Sequence, residues 1–328
     1  MKYATGAIAI AMAILLTGCT NAGVDVTFTN GGVTLAGTLL IPKGDGPFPA
    51  VVLIHGSGET DRGSMKYYAR MFVRNGYAAL TYDKRGVGKS TGAPDAWRHF
   101  SFEELAGDAA AGVAFLAGRS DINKNRIGLF GASQGGWVTP LAAVKSRGVA
   151  FIVAISASVS TVAEDRLFER AARLEKEGFS EAEIEAVTAM QRVDQEVTRS
   201  GKPFDEFARL WEQNKDKRWF RRVYLGDAPA PADNDWRLWY RTILDYDPVP
   251  LLEQLSMPML WLFGDPQYDR FGPVQLSVDR LNALRDSGKD YEVVVFTGAD
   301  HNLRFVDGGK EAPFQEKISA WLDTLDRP

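Results

Sequence analysis

The sequence predicts an α/β fold with a mostly parallel, twisted sheet, helices on both faces and one helical insert. Three observations predict it. Short continuous apolar runs, the mark of strands buried on both faces, alternate with stretches of helical periodicity. The alternation stops near residue 160 and resumes near residue 246. The chain has 328 residues, of which 45% are hydrophobic and 24% charged, so it can bury a large core and is not a disordered chain.

The first segment, MKYATGAIAIAMAILLTGCT, carries Lys2 and then an apolar stretch from Ala7 to Leu16, short for a membrane span and suited to a signal peptide. Leu16-Thr17-Gly18-Cys19 resembles a bacterial lipobox. That resemblance implies cleavage before Cys19, lipidation of its sulfur and acylation of the new N-terminus. Several acyl chains hold a protein stably on a membrane surface. Thr20 rather than Asp follows the cysteine, which favours an outer membrane in an organism that has one. Cys19 is the one cysteine, so no intramolecular disulfide forms. Residues 1–18 are set aside from the fold.

Val24 to Thr29 alternates, Asn30-Gly31-Gly32 reads as a turn, and Val33 to Ile41 alternates again, which together predict a hairpin. Ala50 to Ile54 is a buried strand, Met65 to Asn75 a helix ending before Gly76, and Tyr77 to Tyr82 a second buried strand. Phe102 to Gly118 is a helix, Arg126 to Phe130 a strand, Gly135 to Arg147 a helix and Val149 to Ile155 a strand. From Val162 to about Tyr246 no buried strand is predicted. There Ser180 to Glu183 is a capping box, and Ile184, Val187, Met190, Val193 and Val197 recur at helical spacing. Strand, helix, strand and helix then follow at Pro258 to Phe263, Val274 to Arg285, Tyr291 to Phe296 and Pro313 to Leu325. The predicted organisation is residues 19–160 and 246–328 as two parts of one core, with residues 161–245 as a helical cap insert.

Gly131-Ala132-Ser133-Gln134-Gly135 matches G-x-S-x-G between a predicted strand and a predicted helix. Such a turn lifts the Ser133 hydroxyl clear of the sheet and leaves the Gln134 N–H at a helix N-terminus, where partial positive charge favours an oxyanion. His55-Gly56-Ser57-Gly58 follows one buried strand and Tyr82-Asp83-Lys84-Arg85-Gly86-Val87-Gly88-Lys89-Ser90 follows the next. Together these motifs resemble the α/β-hydrolase superfamily. They are similar to its secreted serine esterases with an HGSG-x-x-D-R loop, which continues here through Glu59-Thr60-Asp61-Arg62. The resemblance covers roughly residues 24–160 and 246–328. It implies an eight-stranded sheet and a second oxyanion donor at the Ser57 N–H. His55 is read as loop support, and Asp83 and Arg85 as charges that order the Gly-rich loop.

Three histidines are present, His55, His99 and His301, too few for a Cys/His zinc site. His301, in Gly298-Ala299-Asp300-His301-Asn302 after the final strand, is the general base, since a loop at the carboxyl edge can deliver it to Ser133. His99 has no supporting motif and reads as solvated. The family places an acid after the strand ending at Phe263, which leaves Asp265 and Asp269. Family members show Gly, two residues, then Asp, but Gln267 holds that position here. Counting back four from Pro273 gives Asp269, which is preferred over Asp265 if the loop carries a two-residue insertion.

The insert holds Trp211, Trp219, Trp236 and Trp239, half of the eight tryptophans. Most are read as its own core, with an aromatic roof over Ser133 as the functional alternative. The leading expectation is a lipid-anchored serine hydrolase of carboxylic esters, acting on a small ester or acyl substrate and needing no cofactor or metal. A thioesterase or peptidase would use the same residues. A prolyl-oligopeptidase-like architecture would need a propeller, for which the stretch between Cys19 and Ala50 leaves no room. An aspartate nucleophile, as in dehalogenases, is excluded by Ser133. A non-catalytic binding lipoprotein is the alternative of another class. Lys and Arg total 38 against 42 Asp and Glu, so no basic excess points to nucleic acid.

Overall fold

The computed structural model describes residues 23–93, 98–224 and 226–325. Cys19 and the signal segment lie outside the described residues. Eight strands form one sheet: β1 (Val24–Asn30), β2 (Val33–Leu40), β3 (Phe48–Ile54), β4 (Ala78–Tyr82), β5 (Ile122–Ala132), β6 (Val149–Ile155), β7 (Met259–Phe263) and β8 (Tyr291–Val295). Their order is β1-β2-β4-β3-β5-β6-β7-β8. β1, β2 and β4 pair antiparallel and every other neighbour is parallel. This is the α/β-hydrolase fold that the motifs implied.

The hairpin turns through Gly31 at φ +58°, with Asn30 opposite Val33. The core strands read as predicted, because β4 and β7 are buried at every residue. β5 begins earlier than its apolar run. Ile122 pairs with Phe48 across a register irregularity, and the polar stretch Asn123-Lys124-Asn125 hid that extension from the hydrophobic pattern.

Helices α1 (Lys66–Arg74) and α11 (Phe314–Thr324) cover one face, burying Phe72, Ile318 and Trp321 against Leu53, Val153 and Leu262. α2 (Phe102–Ala117), α3 (Gly135–Lys145), α9 (Val249–Gln254) and α10 (Val274–Asp286) cover the other, where Leu105, Val138, Leu252 and Leu281 pack on Val52, Leu129 and Trp261. The short α9, flanked and interrupted by Pro248 and Pro250, carries too little periodicity to be read from sequence.

Between β6 and α9 the described residues form five helices and no strand: α4 (Val162–Lys176), α5 (Glu181–Ser200), α6 (Phe204–Asn214), α7 (Phe220–Val223) and α8 (Asp235–Leu244). The Ser180 capping box forms, with Ser180 and Glu183 each accepting from the other's backbone N–H. Leu174, Val187, Phe207, Trp211, Trp219 and Phe220 make a separate core there. Trp236 and Trp239 do not join it. Two of the four tryptophans thus lie in the core of this segment, and the other two line a cavity beside Ser57 and Gln134. Glu164 of α4 pairs with Arg280 of α10 at 2.9 Å, and the Trp239 indole N–H donates to the Phe100 carbonyl at 2.7 Å, so the segment is tied to the core.

Candidate active site

The parallel strands all deliver their next residues to one edge of the sheet, where α/β proteins place their ligands. β5 ends at Ala132 and α3 starts at Gly135, so Ser133 sits on the turn between them with φ +51°. A left-handed backbone at a non-glycine residue is strained, and the surroundings enforce it. A Cβ on Gly131 would lie 2.2 Å from Thr139 Oγ1, and one on Gly135 would lie 2.6 Å from the Ile54 carbonyl oxygen. Only glycines allow strand and helix to meet this closely.

His301, on the loop after β8, joins Ser133 to Asp269, on the loop after β7. With Nδ1 protonated, His301 donates to both Asp269 carboxylate oxygens at 3.0 Å, and its Nε2 lies 3.2 Å from Ser133 Oγ. Asp269 is 1% exposed and also accepts the Phe271 N–H at 3.0 Å. The Ser156 hydroxyl donates to the His301 carbonyl at 2.6 Å and fixes the base from behind. Asp265 does something else. Its two oxygens accept the N–H groups of Gln267 and Gly298 at 2.9 and 2.8 Å, stitching the β7 loop to the β8 loop.

Ser57 and Gln134 line the same cavity as Ser133 and His301. Gln134 caps α3, so its N–H belongs to the helix-start donors that have no intrahelical acceptor. Lys84 holds this region from beneath. It is 1% exposed, and its ammonium donates to the carbonyls of Gly56 and Gly58 at 2.8 and 3.1 Å and to Gln134 Oε1 at 3.2 Å. The peptide joining Gly56 to Ser57 is planar and trans, so its C=O and N–H point in opposite directions. Anchoring the Gly56 carbonyl on Lys84 therefore turns the Ser57 N–H away from Lys84. Burial pulls the Lys84 ammonium down to about 8. Sequence reasoning quoted Lys84 inside a motif but gave it no role. The available signal was its place directly after a strand buried on both faces, which carries the chain into the interior.

The neighbouring charges order loops, as expected. Asp83 accepts from the Arg62 side chain at 3.0 Å and from the backbone N–H groups of Arg62 and Lys89 at 2.8 and 2.9 Å. Arg85 binds both oxygens of buried Asp108 at 2.8 and 2.7 Å. His55 Nε2 meets the Tyr82 carbonyl at 2.9 Å, and burial, aided by Lys84, lowers its pKa to about 3, so the ring is neutral and supports the loop. His99 is exposed, as expected, but it is not simply solvated. Its ring stands edge-on to Trp239 at 5.3 Å and lines a second cavity.

Two cavities meet at Ser57 and Gln134. The smaller, about 180 Å³, is lined by Ser133, His301, Ser156, Ser158, Asp165 and Glu169, among others. The larger, about 440 Å³, is lined by Phe100, Phe102, Trp137, Trp236, Trp239 and Tyr240 beside Ser57 and Gln134. No sequence signal marks Ser158, Asp165 and Glu169, because their approach to Ser133 depends on how the loop after β6 and α4 pack. Among the described residues no group of three or more His, Cys, Asp or Glu is placed to hold a metal ion. None of the described helices is long and apolar enough to cross a membrane.

Such a chain of acid, imidazole and hydroxyl at a helix start has the parts for nucleophilic acyl transfer. Known proteins agree at the level of class. The sequence pattern of the family described as X-Pro dipeptidyl-peptidase (S15 family) matches residues 31–262. Esterase EstD of Thermotoga maritima is 30% identical over 300 residues, which cover 88% of this chain and 62% of EstD. The chain thus spans less than two thirds of that relative. Thiohydrolase aneE of Aspergillus aculeatus is 27% identical over 262 residues, covering 77% of this chain and 79% of that protein. The solved structure of Pyrococcus furiosus esterase Pf2001 superposes with a TM-score of 0.57 over 92% of this chain and 90% of that one, at 16% identity, a likeness of fold. The chain belongs to the family described as X-Pro dipeptidyl-peptidase (S15 family) and has the α/β-hydrolase fold.

Proposed function

We propose that the chain hydrolyses carboxylic esters through Ser133, His301 and Asp269. The observation that carries this reading is the unbroken hydrogen-bonded series from Asp269 through His301 to Ser133 on a strained strand–helix turn. Ser133 Oγ attacks the ester carbonyl carbon while His301 Nε2 takes its proton. The Ser57 and Gln134 N–H groups stabilise the oxyanion. His301 then gives that proton to the leaving alkoxide, and the acyl group stays on Ser133. Water, deprotonated by His301, attacks the acyl-enzyme and releases the acid, and the proton returns to Ser133. Asp269 holds the imidazole tautomer and stabilises the imidazolium.

The test is a fluorophosphonate probe applied to the full-length chain, with the modified peptide mapped by mass spectrometry. Label at Ser133, lost in Ser133→Ala, together with turnover of ethyl butanoate, supports the reading. A folded protein that takes no label and turns over no ester sinks it. The family description favours a second reading, cleavage of peptides after an X-Pro pair by the same residues. An X-Pro arylamide assayed beside the ester separates the two.

The helical segment 161–245 is assigned as a cap over the site, since Trp236 and Trp239 line the cavity beside Ser57. The lipobox-like segment supports anchoring of Cys19 to the bacterial cell envelope. Cys19→Ser would then release the protein from the membrane fraction, and unchanged fractionation would refute the anchor.

A further inference from the structure

The two cavities share Ser57, Gln134, Trp137 and Arg166, while Ser133 and His301 line the smaller one, and the chemistry of acyl transfer tells the two apart. The tetrahedral carbon bears four substituents: Ser133 Oγ, the oxyanion, the leaving oxygen and the acyl carbon. The oxyanion faces Ser57 and Gln134. The leaving oxygen must receive its proton from His301 Nε2, so it lies on the His301 side. The acyl carbon takes the direction that remains. His301 lines the smaller cavity, with Ser156, Ser158, Asp165 and Glu169. The larger, aromatic cavity touches the oxyanion loop at Ser57, Gly58 and Gln134.

We propose that the larger cavity is an acyl site for an aromatic acyl group, and the smaller one a leaving-group site for a small alcohol bearing further hydroxyl or ammonium donors. This assignment rests on the ester-hydrolase reading above and deepens it.

The acyl side is a continuous aromatic wall. Trp236 stacks on Tyr240 at 4.7 Å, Phe100 stands edge-on to Trp239 at 5.7 Å and to Phe102 at 5.4 Å, and Phe102 stands edge-on to Trp137 at 5.8 Å. An inserted ring meets both faces and edges there, the two arrangements that aromatic pairs favour. Among its described lining residues are Arg98 and Arg166 and no carboxylate.

The leaving-group side offers acceptors. The Ser156 hydroxyl proton is committed to the His301 carbonyl, and the Ser158 proton to Asp165 Oδ1 at 2.5 Å. Glu169 is paired with Arg166, which lines the same cavity, so the lone pairs left to a ligand are mainly those of Ser156, Ser158 and Asp165. Asp165 is 5% exposed, so a ligand donor meets it in a water-poor site, where such a bond counts most. Burial pushes its carboxyl up to about 6, which leaves it mostly ionised at neutral pH. A space of about 180 Å³ suits a short alcohol.

The experiment crosses two acyl groups, 3-phenylpropanoyl and hexanoyl, with three alcohols, propanol, glycerol and 2-(dimethylamino)ethanol. It uses the full-length chain after Ser133 labelling is established. We expect kcat/KM to be about tenfold higher for phenylpropanoyl over hexanoyl at fixed alcohol. At fixed acyl group it is about tenfold higher for a donor-bearing alcohol over propanol, and the glyceryl and dimethylaminoethyl arms tell a polyol from an amino alcohol. Trp236→Ala lowers the first ratio and Asp165→Asn the second. Equal or inverted ratios in a labelled, active enzyme overturn the assignment and leave the ester reading standing. Absence of both label and turnover refutes the ester reading itself, and the assignment with it.

Discussion

Replacing Lys84 by Met separates a positioning role from a merely structural one. The substitution keeps the unbranched stem, one atom shorter, and removes three donated bonds, those to Gly56, Gly58 and Gln134. Without them the Gly56–Ser57 peptide is free to rotate, and the Ser57 N–H loses its fixed direction. Losing one oxyanion donor costs about 10²–10³ in kcat, or about 2.7–4 kcal/mol. The donor here is misaligned rather than deleted, so a loss of about 10² is expected, with KM little changed. Stability moves less. The lost charge-assisted bonds are worth about 1.5–3 kcal/mol each, but an ammonium buried without a carboxylate carries a desolvation penalty of several kcal/mol. The net change is expected within about 2 kcal/mol. Steady-state kinetics on a short ester and a urea titration measure both quantities. The reasoning fails if the folded variant keeps its kcat, or if the whole effect lies in KM. A pH profile adds a second check. Folding lowers the Lys84 pKa from its ordinary value to about 8, so between pH 8 and the unfolded value the unfolded chain binds more protons. Its contribution to stability therefore rises with pH across that window, as the buried charge is relieved. Activity falls over the same window as the ammonium discharges, with an apparent pKa near 8 that is absent from Lys84→Met.

Four further outcomes follow from the geometry. Asp269→Asn is expected to lower kcat about 10⁴-fold by losing the His301 tautomer. Asp265→Ala instead leaves the Gly298 and Gln267 N–H groups unpaired and costs about 1–3 kcal/mol in a denaturant melt, and the opposite ranking of the two variants would reverse the assignment of the acid. Gly131→Ala drives a Cβ to 2.6 Å from the Gly135 carbonyl oxygen and is expected to cost about 1–3 kcal/mol and to lower kcat by displacing Ser133; wild-type stability would contradict the close approach. Asp108→Ala removes two charge-assisted bonds to the Arg85 guanidinium, which keeps Glu104, and is expected to cost about 1.5–3 kcal/mol by urea titration, whereas a surface pair would cost about 1 kcal/mol or less.

The sequence by itself determined the sheet, most of its helices and the candidate residues that the structure brings together at Ser133. Strands such as Ala78–Tyr82 are buried on both faces, so their composition alone identifies them. The Ser133 turn needs glycines at fixed offsets, a constraint local in sequence and therefore legible there. His301 and Ser133 follow from strand order. Asp269 followed from spacing, and the β7 loop explains why counting was needed: Asp265 occupies the position after Gly264 and serves the loop, and the chain turns through Pro266–Tyr268 before reaching His301. Tertiary structure decided what depends on packing between distant segments. The Arg62–Asp83 and Arg85–Asp108 partnerships, the grip of Lys84 on two loops and the arrival of Asp165 beside Ser133 link residues far apart in sequence. So does the parting of Trp236 and Trp239 from the core that Trp211 and Trp219 help to form. Periodicity reports which face of a helix is apolar, not what that face meets, so the shape of the pocket above Ser133 becomes readable only once the helices have packed.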